Sequence, residues 1–206
     1  MGSWVGGYTN VQELVSVIMP TLSNREALRS LATKCFLQQD YPNKELILVE
    51  DEGTIGYKLN LGCERAKGNL FCRFDDDDWS APNRLTDQVN RLISNNKNLT
   101  GYRSIYFWDD SKKQASYYHG APNYCLGTSM LFTRKYWESN KFPLANIGED
   151  LFFQRKAKQE NDVISIEADQ MMVARLHGSN ISSGRIAFPV VDKNKLPQAF
   201  FDAIGG

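Results

Sequence analysis

Opposite charges cancel in this sequence. Its 24 Lys and Arg stand against 24 Asp and Glu, so no overall basic field exists to hold nucleic acid or an anionic surface, and nucleic acid is disfavoured as a partner. The four cysteines, Cys35, Cys63, Cys72 and Cys125, show no Cys-x-x-Cys spacing, which points to neither a zinc site nor a disulfide framework. No apolar run approaches the roughly 20 residues needed to span a bilayer, and the opening MGSWVGGYTN lacks the charged and apolar regions of a signal peptide. The expectation is a cytoplasmic protein with no transmembrane segment, working in solution or peripherally at the inner membrane surface. Also missing are the phosphate loop Gly-x-x-x-x-Gly-Lys-Ser/Thr and the dinucleotide loop Gly-x-Gly-x-x-Gly. A phosphate group bound here is not cradled by a glycine-rich turn.

What is present is a succession of short apolar runs alternating with helical patterns. That order predicts βαβ units on a mostly parallel sheet within a single domain, 1–206, with a core at about 15–182 and a tail at 183–206. Residues 15–19 and 46–49 are near-continuous apolar runs and read as central strands covered on both faces. Between them Ser23-x-x-Glu26 reads as a capping box, followed by Leu28, Leu31, Cys35 and Phe36 or Leu37 at helical spacing. A second helix is expected over 57–67, stopped by Gly68, and a third strand over 70–74. Pro82 suits the first turn of another helix, whose Leu85, Val89, Leu92 and Ile93 share a face and whose end is marked by Asn95-Asn96. Beyond it, 102–108 and 115–118 read as strands of a hairpin connected through 109–113. The second half is thus more mixed than the first, and the tail is either docked or loose.

Four consecutive aspartates, Asp75 to Asp78, follow the third strand. The plain reading is a solvated acidic loop. Their place argues for a site, because open α/β sheets bind ligands outside the carboxyl ends of their strands. In extended backbone Asp75 and Asp77 would project to one side, and two converging carboxylates make a hard oxygen site for Mg²⁺ or Mn²⁺. An EF-hand is excluded, since Ser80 stands where the calcium loop requires glycine.

VSVIMPT at 15–21, QQDYPNKELILVED at 38–51, LNLGCERAKGNLFCRFDDDDW at 59–79, GTSMLF at 127–132, GED at 148–150 and RLHGSNIS at 175–182 together resemble the family 2 glycosyltransferases. These are inverting enzymes of the GT-A fold, an α/β nucleotide-diphospho-sugar transferase architecture with a mostly parallel, Rossmann-like sheet flanked by helices and a mixed acceptor-side half. The resemblance implies transfer of a sugar from a nucleotide diphosphate, a UDP-sugar being favoured, to a hydroxyl of a glycan, a lipid-linked sugar or another acceptor. It implies that Pro20, Thr21, Arg25, Asp51, Lys58, Asp75 and Asp76 hold the nucleotide. It further implies that Asp77, with Asp75 and His177, binds Mn²⁺ or Mg²⁺. Asp150 is implied as the base, with Glu149 as its alternate or partner, and Trp79, Gly127 and Thr128 as the acceptor side. Leu22 stands where the family often has an aromatic that stacks on the base.

Each of these residues has a plainer explanation: a turn aspartate for Asp51, a solvated helix-end lysine for Lys58, helix-dipole acids for Glu149 and Asp150, a surface histidine for His177, a core ring for Trp79. Two other functions compete with this one. A pyrophosphorylase-like nucleotidyltransferase would need a glycine-rich loop after the first strand, where PTLSNRE stands. A binding module without turnover would not need Asp75, Asp77 and Asp150 together.

Overall fold

The structure is a computed structural model that describes residues 12–168, 170–178, 180 and 188–205. Eleven strands, six α-helices and three single-turn 3₁₀ segments are formed among them. The strands are β1 (Val15–Pro20), β2 (Lys44–Val49), β3 (Leu70–Arg73), β4 (Trp79–Ser80), β5 (Leu99–Tyr102), β6 (Ser104–Asp109), β7 (Gln114–His119), β8 (Leu131–Thr133), β9 (Val163–Ile166), β10 (Met172–Leu176) and β11 (Val190–Val191). The helices are α1 (Glu26–Leu37), α2 (Ile55–Arg65), α3 (Arg84–Ser94), α4 (Arg134–Ser139), α5 (Glu149–Gln159) and α6 (Gln198–Ile204).

One six-stranded sheet runs β2-β1-β3-β8-β5-β9, with β1 parallel to both β2 and β3, and β8 antiparallel between β3 and β5. β1 is central, as expected, and Val15, Val17, Ile18 and Met19 are sealed on both faces. β2 is not central. Among the described residues it pairs only with β1, and Leu48 is partly exposed. A second sheet, β11-β7-β6-β10-β4, is mixed: β6 and β7 form the expected antiparallel hairpin, whereas β10 joins β6 in parallel. Asp109 closes the hairpin turn by accepting from the amides of Ser111 and Lys112 and from the Ser111 hydroxyl, the local Asx geometry that makes aspartate a turn former.

Helix starts depart from the sequence reading in instructive ways. Ser23 does not cap α1. Residues Ser23–Arg25 form a 3₁₀ turn, and neither it nor α1 has a side-chain cap, so the would-be capping box becomes a tight bend that carries Arg25 toward the sheet's carboxyl edge. α2 begins two residues earlier than expected because Thr54 caps it, accepting from the Tyr57 amide. Gly68 does not end α2. A Cβ there would lie 2.3 Å from the Leu14 carbonyl oxygen, so the glycine permits close packing at the entry to β3. In α3 Leu85, Val89 and Leu92 face the core, while Ile93 is 60% exposed, because one residue beyond Leu92 the helix surface has rotated past the core.

Two large cores follow. One lies between the main sheet, α1, α3 and the second sheet, and buries Leu31, Phe36, Leu85, Trp79 and Trp108. The other, on the far face, packs Leu59, Phe71, Phe132, Trp137 and Phe153. The end of the tail is docked: Phe200 of α6 is fully buried, with its ring in edge contact with Trp79 and Trp108. All four cysteines are free and buried. Residue 179 and residues 181–187, which include the close of the 175–182 motif and the start of the 183–206 tail, lie outside the described residues.

Candidate active site

β1, β2 and β3 are parallel, so their carboxyl ends share an edge, and the four aspartates arrive there directly after β3. They are not a solvated loop. Asp76, Asp77 and Asp78 are only 4%, 8% and 7% exposed. Burying like charges side by side is costly unless each is met, and the fold meets them one by one.

Asp75 is gripped by Arg73 of β3, whose Nε and Nη2 donate to its two oxygens at 2.7 and 3.1 Å. The same guanidinium donates through Nη1 to Glu149 Oε1 at 2.9 Å. Asp76 accepts from the Thr21 hydroxyl at 2.6 Å. Arg25 spans the next two acids, with Nη2 3.0 Å from Asp76 and 2.6 Å from Asp77. Asp78 accepts from the Thr128 hydroxyl at 2.7 Å and from the Arg175 amide at 3.1 Å. The expectation that Asp75 and Asp77 converge is therefore corrected. β3 ends at Arg73 and the chain turns at Asp76 and Asp77, which breaks the period of two. Asp75 leans toward α5, and Asp76 and Asp77 lean together toward Arg25.

Burial dominates the proton affinities. It pushes the carboxyls of Asp76 and Asp78 up, Asp78 well above the usual carboxylate range, with neighbouring carboxylates adding to the effect. Burial also raises Glu149, by more than the Arg73 cation lowers it. Desolvation alone would loosen the proton on Arg73, but Asp75 and Glu149 outweigh it and hold the guanidinium firmly charged.

His177 and Asn180 reach the cluster from the end of β10. His177 Nε2 lies 3.0 Å from Asp77 Oδ2, and Asn180 Nδ2 lies 3.2 Å from the same oxygen. Among the described residues no three acidic, histidine or cysteine side chains converge as a ready metal set. The Asp77 and His177 pair nonetheless fits part of one. One carboxylate oxygen and one imidazole nitrogen, 3.0 Å apart and in contact with each other, would supply two donors to a divalent ion once Arg25 gave way at Asp77. The carboxylate oxygen suits Mn²⁺ or Mg²⁺ completed by phosphate oxygens and water, whereas the imidazole nitrogen is a softer donor than either ion demands. Asp75, committed to Arg73, is not beside them.

On the opposite flank Gly148 takes a left-handed conformation, φ 78°, and turns the chain into α5, whose first two residues are Glu149 and Asp150. Gly127 of the 3₁₀ turn Gly127–Ser129 packs against both motifs: a Cβ there would lie 3.0 Å from Arg73 Nη1 and 3.0 Å from Asp150 Oδ2. The expected acceptor-side residues Gly127 and Thr128 are thus brought to the acids. Trp79 is not available to a sugar. It is 4% exposed and packs on Phe200, because β4 joins β10 and turns the indole into the core.

Pro20 ends β1, and the Thr21 amide donates to the Val49 carbonyl at 3.0 Å. Lys58 is not a free arm. Its ammonium is buried and donates to the Thr21 carbonyl at 2.6 Å, and desolvation lowers its pKa. Asp51, past the end of β2, is held bidentately by Arg65 at 2.7 and 2.9 Å, and that pairing lowers its pKa. It stands on the rim of the same edge. Three residues of the site were missed in the sequence: Arg73, Asn180 and Asp78 as a separately buried acid. Arg73 had a signal, a lone cation inside the apolar run LFCRF immediately before four acids.

The family description "Glycosyl transferase family 2" matches residues 52–175, from the rim aspartate's neighbour to Arg175 within β10. This chain belongs to that family. An uncharacterized glycosyltransferase of Haemophilus influenzae is 29% identical over 114 residues, 42% of this chain and 45% of that protein. Among solved structures, S. aureus TarS in complex with UDP-GlcNAc is similar with a TM-score of 0.64 at 17% identity, over 93% of this chain and 64% of TarS. The mannosyltransferase PcManGT of Pyrobaculum calidifontis, in complex with GDP-Man and Mn²⁺, has a TM-score of 0.60 at 16% identity, over 83% of this chain and 59% of its own. The fold is that of these GT-A glycosyltransferases. The chain spans less than half the length of the Haemophilus protein and under two thirds of the two solved ones.

Proposed function

We propose that this family 2 chain transfers a sugar from a nucleotide diphosphate, with a UDP-sugar as the first donor to test, to an acceptor hydroxyl by inverting displacement. The observation that carries the reading is a meeting of two motifs: the Asp150 carboxylate lies against Gly127 beside Arg73, and Arg73 binds Asp75, the first of the acids at the end of β3. A prospective base and a prospective donor site are thus one guanidinium apart.

In this reading Thr21 and Asp51 flank the nucleoside, and Asp75 and Asp76 face the ribose. Asp77 and His177 would hold Mn²⁺ or Mg²⁺, which when bound supplies Lewis-acid stabilisation of the departing diphosphate. Arg25, seated on Asp76 and Asp77, adds positive charge where that negative charge grows. Asp150 takes the proton from the acceptor hydroxyl as its oxygen bonds to the anomeric carbon and the carbon–phosphate-oxygen bond breaks on the opposite face. Glu149 is the weaker candidate for that step, because it is buried and Arg73 already occupies its carboxylate, which keeps an acceptor hydroxyl away from it. Its role is to fix Arg73 and the first turn of α5.

Asp150→Asn tests the assignment. It keeps the shape and loses the proton acceptor, so transfer falls by about 10² or more with donor affinity nearly unchanged. Were Asp150 only a helix-terminus acid, the same change would cost about 0.3–1 kcal/mol of stability and leave turnover intact.

A further inference from the structure

Among the described residues, large apolar side chains stand exposed at one place more than any other. Leu144, Ile147, Leu151 and Phe152 are 69%, 75%, 53% and 60% exposed within nine residues that straddle the start of α5. The loop that shows the first two is braced: the Gly56 amide donates to the Ala145 carbonyl at 3.0 Å and the Ile55 amide to Asn146 Oδ1 at 2.9 Å. A Cβ on Gly56 would lie 1.8 Å from the Pro143 carbonyl oxygen, so the loop is set hard on the N-terminus of α2. These side chains are displayed by a fixed backbone.

Charge is arranged behind them. After Leu151 and Phe152, the next turns of α5 carry Arg155, Lys156 and Lys158, all exposed or half-exposed. At about 1.5 Å per residue these cations follow roughly 5–10 Å along the helix, the Arg155 guanidinium lying over the Phe152 ring at 5.5 Å from its centroid. Between residues 141 and 159 the carboxylates are Glu149, buried on Arg73, and Asp150, half-buried at the site, while exposed Glu138 and Glu160 stand just outside that stretch. An apolar tip backed by a cationic collar at that depth matches the interface of an anionic bilayer, where side chains enter about 5–10 Å and Lys or Arg meet the phosphates. A purely apolar protein partner would have no use for the collar.

We propose that the 144–147 loop and the first turn of α5 dock on an anionic lipid surface. Asp150 shares that first turn, so the surface would lie beside the proposed base. Resting on the transfer reading, this makes the acceptor a hydroxyl carried on a lipid, presented from the membrane. No helix among the described residues is long and apolar enough to cross a bilayer, so the contact is peripheral.

The test is flotation of the full chain with vesicles of phosphatidylcholine alone or mixed with phosphatidylglycerol. Wild type is expected to float with the anionic vesicles and not with the neutral ones. Ile147→Ser/Phe152→Ser should weaken binding by at least about 10-fold, and Arg155→Glu/Lys156→Glu by at least about 20-fold, from roughly five-fold per cation removed. Both variants should keep the wild-type melting temperature and hydrolyse a soluble UDP-sugar at the wild-type rate. Absence of flotation, equal flotation with neutral vesicles, or wild-type binding by either variant would overturn the proposal. So would a dimer of wild type that the Ile147→Ser/Phe152→Ser variant loses, since a second copy would then cover the face. Binding is read without turnover, so its failure and that of the transfer reading are separate results.

Discussion

Removing the guanidinium of Arg73 tests the hinge between the two halves of the site. Arg73→Met keeps the length and apolar stem of the side chain and deletes three charged hydrogen bonds, two to Asp75 and one to Glu149. The Arg73 and Glu149 side chains are 7% and 6% exposed, so solvent cannot take over the partner's charge. Breaking a buried pair in this way costs about 3–5 kcal/mol, a large part of the roughly 5–15 kcal/mol that holds a domain folded. Most of the loss is an uncompensated Glu149, so Arg73→Met/Glu149→Gln should recover part of it, with a coupling of about 1–3 kcal/mol. The pH dependence has a definite sign. Burial already holds Glu149 above its ordinary value of 4.5, and losing the cation lifts it further. A raised carboxyl contributes its stability below the unfolded value and loses it as pH rises through the folded one. The penalty of Arg73→Met should therefore be smallest near pH 4.5 and grow toward neutrality. Urea unfolding of the two single mutants and the double mutant, at acid and neutral pH, measures both effects. Additive losses that do not change with pH would refute the reasoning.

Two further outcomes follow from the same geometry. Gly127→Ala places a Cβ 3.0 Å from Asp150 Oδ2 and Arg73 Nη1, so the carboxylate must shift by a few tenths of an ångström. Transfer should fall by roughly 10-fold with little change in melting temperature, given that an error of 1 Å can cost about 10², and unchanged kinetics would separate Asp150 from the chemistry. Asp78→Asn removes a buried negative charge while leaving an amide oxygen for the Arg175 amide and a group for the Thr128 hydroxyl. Because burial raises Asp78, the variant should melt higher than wild type at neutral pH, and the gain should fade as pH falls and Asp78 protonates. A lower melting temperature at neutral pH would contradict that account.

Much of the fold was legible because the strong signals were local. The apolar runs of β1 and β3, the α3 face through Leu85, Val89 and Leu92, and the hairpin around Asp109 depend on residues near one another in sequence. What sequence could not show was set by partners far along the chain. β2 looked central, but its neighbour count is decided by topology, and Trp79 looked like a platform until Phe200 arrived from 121 residues away to cover it. Ser23 and Glu26 had the spacing of a cap, yet the chain used that stretch to deliver Arg25 to Asp76 and Asp77. In the site, the residue types were readable and the pairings were not. Four acids in a row announced a charge problem without saying that Arg73, Arg25, Thr21 and Thr128 would each resolve part of it. Alternation predicted Asp75 with Asp77, whereas the turn at Asp76 and Asp77 gave Asp75 to Glu149's partner instead.

The most direct measurement is a calorimetric titration of a UDP-sugar into wild type and Asp77→Asn, each with and without Mn²⁺. Asp77 carries the one carboxylate oxygen that Arg25, His177 and Asn180 all approach, so its charge organises the proposed donor site. The account predicts donor binding to wild type that requires the metal, and, at a temperature where both proteins are folded, at least about a 100-fold loss of that binding in Asp77→Asn, which should also melt lower because Arg25 loses a buried partner. Equal affinity in the two proteins, or wild-type affinity that ignores Mn²⁺, would contradict it.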